Sequence, residues 1–95
     1  MFARTSTWAG TPEALKKWDV HTAATVRPFV EGLEGNAGAM FFIDWNAAHA
    51  LTLTLWESEA AAVATDRFAD QSRDSTIAAT GMTLLSRGQY EVVSQ

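Results

Sequence analysis

Polar and apolar residues alternate along 2–9. Phe2, Arg4, Ser6 and Trp8 fall on one side, and Ala3, Thr5, Thr7 and Ala9 on the other. That period of two predicts a strand. Gly10-Thr11-Pro12-Glu13 ends it and opens a helix, with Thr11 as N-cap, Pro12 in the first helical position and Glu13 at the positive end of the dipole. The period then lengthens: Leu15, Trp18, Thr22, Val26, Phe29 and Leu33 recur at three and four, which predicts one helix to about Leu33. Pro28 removes a donor and crowds the carbonyl four residues back, so a kink is expected there. Glu34 to Gly38 reads as a loop.

Two strands, Ala39 to Trp45 and His49 to Trp56, flank the turn Asn46-Ala47-Ala48. In the second, Leu51, Leu53 and Leu55 share one face, and Thr52, Thr54 and Trp56 the other. Ser58 is a further N-cap, and the alanine-rich run from Glu59 to about Thr80 predicts a second helix, closed by Gly81. Met82 to Val93 is the last strand, with a bend or bulge expected at Gly88.

The order is β-α-β-β-α-β. With short connections this predicts a ferredoxin-like α+β fold: a four-stranded antiparallel sheet with two helices on one face. Yet both sides of the hairpin are apolar, with Phe41 and Ile43 against Met40 and Phe42, and the leucines against Trp56. An uncovered apolar sheet face of several hundred Å² is unusual on a monomer. The expectation is a homodimer through that face, two sheets packed face to face into roughly one closed β-barrel with the helices outside.

Composition narrows the chemistry. Ninety-five residues fit one domain over 1–95 with a modest core. The net charge is −4 and no basic stripe exists, which argues against nucleic-acid and membrane partners. Without cysteine there is no disulfide, thiolate nucleophile or cysteine-ligated metal centre. The two histidines have no third ligand at metal spacing, so no metal is expected. Neither a signal-peptide pattern nor an apolar run of about 18 residues is visible, and a cytoplasmic location is the default expectation.

Phe2-Ala3-Arg4, Arg27-Pro28-Phe29, Gly38, Ile43-Asp44, Tyr90-Glu91-Val92-Val93 and above all Ala50-Leu51-Thr52-Leu53-Thr54-Leu55-Trp56-Glu57-Ser58-Glu59-Ala60 form a set of segments spread along the chain. Together they resemble the dimeric α+β barrel superfamily, in its branch of small proteins similar to antibiotic biosynthesis monooxygenases. The resemblance spans nearly the whole chain but lies mostly in structural positions. It implies the barrel fold and a range of activities: cofactor-free quinone-forming monooxygenases, haem-degrading enzymes, polyketide cyclases and many proteins without a known activity. The haem-degrading members have a tryptophan nine residues after the one matching Trp56 and a histidine ten further on. Thr65 and Ser75 stand there, which argues against haem. No cofactor of any kind is expected.

Candidate residues carry two readings each. Trp56 either walls a pocket, stacking on a flat substrate, or is core beneath the second helix. Trp18 and His21 are neighbours one helical turn apart; His21 is either a base near neutral pH or a histidine without a role. His49 reads as a solvated turn residue. The second helix presents Ala60, Ala64, Phe68, Gln71 and Ser75 on one face, with Arg67 and Asp74 flanking, a face either lining a cavity or packed tightly on Trp8 or Trp56. Asp66-Arg67 and Asp70-Arg73-Asp74 suit ion pairs on a solvated face.

Two functions follow. In the first, the resemblance together with helix geometry implies a cofactor-independent monooxygenase for an aromatic, phenolic or polyketide-like molecule. His21 and Arg67 are then the catalytic, anion-side groups, and Trp18, Trp56, Phe68 and Gln71 bind substrate. In the second, the chain is a non-catalytic dimer that binds a small ligand or serves in a stress response. A cavity of a few hundred Å³ beside Trp56, with His21 or Arg67 pointing in, favours the first; a filled helix–sheet interface favours the second.

Overall fold

The computed structural model describes all residues, Met1–Gln95. Four strands, β1 (Phe2–Ala9), β2 (Asn36–Asp44), β3 (His49–Trp56) and β4 (Thr83–Glu91), form one antiparallel sheet in the order β2-β3-β1-β4. The helical segments α1 (Pro12–His21), α2 (Arg27–Glu31), α3 (Glu59–Ala64) and α4 (Asp66–Thr80) complete the ferredoxin-like β-α-β-β-α-β arrangement.

The expected caps operate. The Thr11 hydroxyl accepts from the Ala14 N–H at 3.1 Å, and Ser58 Oγ accepts from the Ala61 N–H at 3.1 Å. Gly81 ends α4 with φ of 76°, a left-handed conformation suited to glycine.

Neither predicted helix is continuous. Between α1 and α2 the chain takes a π-helical turn over Thr22–Val26, in which the Arg27 N–H reaches the Thr22 carbonyl. The wider turn gives Pro28 a place near the start of a new α-segment, where its missing donor is tolerated. The buried series becomes Leu15, Trp18, Thr22, Val26 and Val30, and Phe29 is left partly exposed against Phe68 of α4.

The second helix breaks at Thr65, whose φ and ψ are −106° and 8°. The Ala62 carbonyl, which would accept from Asp66 in an unbroken helix, accepts from Arg4 at 2.5 Å, from the Thr65 N–H and from the Thr65 hydroxyl. The buried face therefore becomes Ala62, Thr65, Thr76 and Thr80, with Ala69 and Ser72 half-buried. The expected face through Ala60, Ala64, Gln71 and Ser75 is exposed, and of that set Phe68 is half-buried.

Three strand details also differ. β2 begins at Asn36, inside the stretch expected as a loop, and pairs there with the end of β3. Trp45 lies outside β2, because the Asp44 carboxylate accepts from the Asn46 and Ala47 N–H groups at 3.1 Å each and turns the chain one residue early. The irregularity in β4 falls opposite Thr7 and Trp8, where Ser86 and Leu84 pair and Leu85 is the extra residue; Gly88 sits in regular register with Thr5. Gly88 is instead covered by the Tyr90 ring.

The helices cover the face bearing Arg4, Ser6, Trp8, Thr52, Thr54 and Trp56. One core cluster centres on Trp8, Leu15, Trp18 and Met82, another on Val26, Val30, Trp56 and Ala62. The other face carries Leu51, Leu53 and Leu55, half-buried, with Met40, Phe42 and Tyr90 exposed. No helix is long and apolar enough to cross a membrane.

Gly35 joins α2 to β2 at φ of 83°, and a Cβ there would lie 2.6 Å from the Ala61 Cβ. Gly35→Ala should therefore lose about 1–2 kcal/mol from the left-handed backbone alone, and more from the overlap. A lowered urea midpoint at unchanged m-value is the expected result; an unchanged midpoint would show that the loop relaxes freely.

Candidate functional site

Alternation in β1 aims Arg4, Ser6 and Trp8 at the helices, and Arg4 meets them at the α3–α4 junction. It is the only charged residue among the buried ones, at 7% exposure. Its guanidinium donates to the Ala62 carbonyl and to the Thr65 hydroxyl at 3.3 Å, and pairs with Asp66. Its Cζ stands 5.4 Å from the Trp56 ring centroid, a cation–π contact. Burial is the largest influence on its ionisation and pushes the pKa below the usual arginine value. The Asp66 charge and hydrogen bond oppose that shift, whereas the nearby positive charge of Arg73 adds to it.

Arg4 forms part of the lining of a cavity between sheet and helices. Trp8, Trp18, Phe29, Phe41, Trp56 and Phe68 supply aromatic walls, and Thr52, Thr54, Ser72, Thr76 and Arg73 add polar groups. The space is about 50 Å³, a third of the roughly 150 Å³ apolar cavity known to take benzene. Three wall contacts fix its shape. Trp18 meets Phe41 edge-on at 6.2 Å, Phe29 meets Phe68 edge-on at 6.3 Å, and Trp56 Nε1 donates to Thr54 Oγ1 at 3.0 Å. The indole N–H groups of Trp8 and Trp18, both buried, have no acceptor.

Of the residues singled out from sequence, Trp18, Trp56 and Phe68 line this one cavity. Gln71 and His21 do not. They meet in an adjoining cleft between the first helical segments and α4, with Thr25 and Ser75, that shares Val26, Phe29 and Ser72 with the cavity wall. His21 Nε2 is buried there without a hydrogen-bond partner. Arg67 is exposed, its guanidinium 5.3 Å from the Phe68 ring on the outer side. His49 is exposed at the start of β3.

The ion pairs also differ from the solvated face expected. Asp66 serves the buried Arg4. The Asp70 carboxylate accepts from Arg73 at 2.6 Å, and the Arg73 side chain is only 13% exposed. The sequence reading missed Arg4 and Arg73 as cavity residues. For Arg4 the signal was its phase: it shares a strand face with Trp8, and β1 pairs with the strand ending in Trp56. Nothing in the local pattern marked Arg73, because its burial depends on the helix break at Thr65.

No protein-family model matches the chain, and no curated protein matches its sequence. Solved structures do match in fold. A monooxygenase from the gene ActVA-Orf6 of Streptomyces coelicolor, in complex with Nanaomycin D, is 15% identical over 99% of this chain and 88% of that one, with a TM-score of 0.74. SnoaB, a cofactor-independent oxygenase from Streptomyces nogalater, is 15% identical over 99% and 92%, with a TM-score of 0.61. A dimeric ferredoxin-like protein from an uncultured marine organism is 8% identical over 99% and 95%, with a TM-score of 0.68. The chain shares their fold.

Asp66→Asn should leave the Arg4 cation without its counter-charge. Removing one partner of a fully buried pair costs roughly 3–5 kcal/mol. Since the Asp66 side chain is 50% exposed, water compensates in part, and a loss of about 1–3 kcal/mol is expected. Chemical denaturation checks this, and a loss comparable to an ordinary surface substitution would show that the pair contributes little. Trp56→Ala should cost about 3–5 kcal/mol, while Trp56→Phe keeps most of the burial and removes the Thr54 hydrogen bond.

Proposed function

We propose that the chain is a cofactor-independent monooxygenase for a compact aromatic molecule, working as a homodimer. The observation that carries this reading is a buried guanidinium, Arg4, set against Trp56 in a cavity with six aromatic side chains in its wall. A fixed cation in a water-poor, aromatic site binds a flat ring and stabilises negative charge developing on it. Substrates of this kind supply their own electrons to dioxygen once deprotonated. For an activated ring methylene, one methylene and one dioxygen give one carbonyl and one water. One oxygen atom becomes the carbonyl oxygen, and the other leaves as water with both methylene hydrogens. The carbon is oxidised by four electrons, and dioxygen takes up all four. Arg4 and Arg73 act on the anion, and Trp18, Trp56 and Phe68 hold the ring. His21 Nε2, in the adjoining cleft, takes the proton. Gln71 contacts parts of the substrate that extend into that cleft, and Arg67 holds Phe68 by its stacking contact. The monooxygenase from the ActVA-Orf6 gene and SnoaB, of the same fold, support this reading.

A second reading, a non-catalytic ligand-binding dimer, is favoured by the size of the cavity and by the position of His21 and Arg67 outside its lining. To admit a ring, the half-exposed Phe29–Phe68 pair must part. The decisive measurement is oxygen uptake with a panel of hydroquinones and phenols, against anaerobic controls. Uptake that is insensitive to chelators and falls about 10²- to 10⁴-fold in His21→Ala is the expected outcome. An unchanged rate removes His21 from the mechanism, and no uptake across the panel favours the binding reading.

The homodimer uses the open sheet face. Leu51, Leu53 and Leu55 lie beside the exposed Met40, Phe42 and Tyr90, a continuous apolar surface that a second copy would cover. The dimeric ferredoxin-like protein of similar fold supports this assembly. Sedimentation at micromolar concentration should give twice the chain mass. Leu53→Asp should give a folded monomer, because Leu53 faces away from the helix-side core; a dimer that survives it would place the interface elsewhere.

A further inference from the structure

We propose that the open cleft beside α4 is a carboxylate subsite of the aromatic cavity, and that the ligand is therefore an aromatic carboxylic acid. This deepens the reading above and rests on the cavity taking a ring.

Three of the chain's five arginines, Arg4, Arg73 and Arg87, converge on this cleft, where the sheet edge at β4 stands apart from α4. Its volume is about 340 Å³, and it has no hydrophobic residue in its lining. Against the three guanidiniums stand two carboxylates, Asp66 and Asp70, leaving a local charge of +1 on a chain whose net charge is −4. Both aspartates keep half or more of their side chains in solvent, whereas Arg4 and Arg73 are largely buried. The balance is therefore most positive on the inner side of the cleft.

The geometry for a carboxylate is already displayed by the protein itself. Arg73 and Arg87 both donate to one oxygen of Asp70, at 2.6 and 3.4 Å. Planar guanidinium forks suit a carboxylate better than any neutral group. Arg4 and Arg73 line both the cleft and the aromatic cavity. A ring beside Trp56 would thus present its acidic substituent outward, past Arg4, to Arg73 and Arg87. The cleft excludes the apolar end of the ligand and the cavity excludes the charged end, so the pair fixes orientation as well as class.

The test compares 4-hydroxybenzoate with 4-hydroxybenzamide, which differ chiefly in charge, on the full chain. Indole fluorescence reports ring entry, and the Nε–H signals of the arginines in ¹⁵N-labelled protein report the carboxylate. The acid should bind about tenfold more tightly than the amide at low salt, and the difference should shrink as salt rises. Arg87→Gln should abolish most of the preference and leave the amide's affinity unchanged; Arg87 is largely exposed, so this variant keeps the fold. Equal quenching by both compounds without arginine shifts overturns the carboxylate subsite while leaving the ring site intact. Arginine shifts with the acid but no quenching would show an anion site unconnected to the cavity, which overturns both the aromatic ligand and the ring site. Absence of both signals overturns both.

Discussion

A single buried cation organises the helical layer. Moving a guanidinium out of water costs several kcal/mol even after relaxation, so Arg4 must collect partners from whatever packs above it. It takes the Ala62 carbonyl, the Thr65 hydroxyl and the Asp66 carboxylate, all at one junction. Taking the Ala62 carbonyl away from the helical ladder splits one helix into two. The split directs Ser72, Arg73 and Thr76 at the cavity and leaves Gln71 and Ser75 at the adjoining cleft. Strand β1 thus determines, through one side chain, which face of α4 the site sees.

The two faces of the sheet invert the usual arrangement. On β3 the side under the helices carries Thr52 and Thr54, while the side without helices carries three leucines. Hydroxyls beneath a helical layer are poor material for a packed core, yet they suit a cavity floor that must offer hydrogen bonds. Leucines facing away from the core make sense when another apolar layer covers them. Both halves of the inversion suit the ligand site and the homodimer interface proposed above.

The π-helical turn plays a related part in the first helical stretch. Its extra residue separates the phase of α1 from that of α2. Thr22 and Val26 stay on the cavity, and Phe29 swings across to meet Phe68. Such turns recur at functional sites because they reposition side chains without ending a helix. Here the turn leaves His21 at the cavity's flank with a buried, unpartnered ring nitrogen.

By itself the sequence determined the order of elements, the caps at Thr11, Ser58 and Gly81, and the two faces of β1, β2 and β3. Those follow from local periodicity and from short-range hydrogen bonds, which neighbours along the chain dictate. Only the tertiary structure decided the breaks at Thr22–Val26 and Thr65, the burial of Arg4 and Arg73, the exposure of Arg67 and the displacement of His21 and Gln71 to a neighbouring cleft. Each of these depends on a contact between residues far apart in the chain or on a helical phase that a single inserted residue changes. The Arg4–Ala62 hydrogen bond spans 58 positions, and no pattern within either segment announces it.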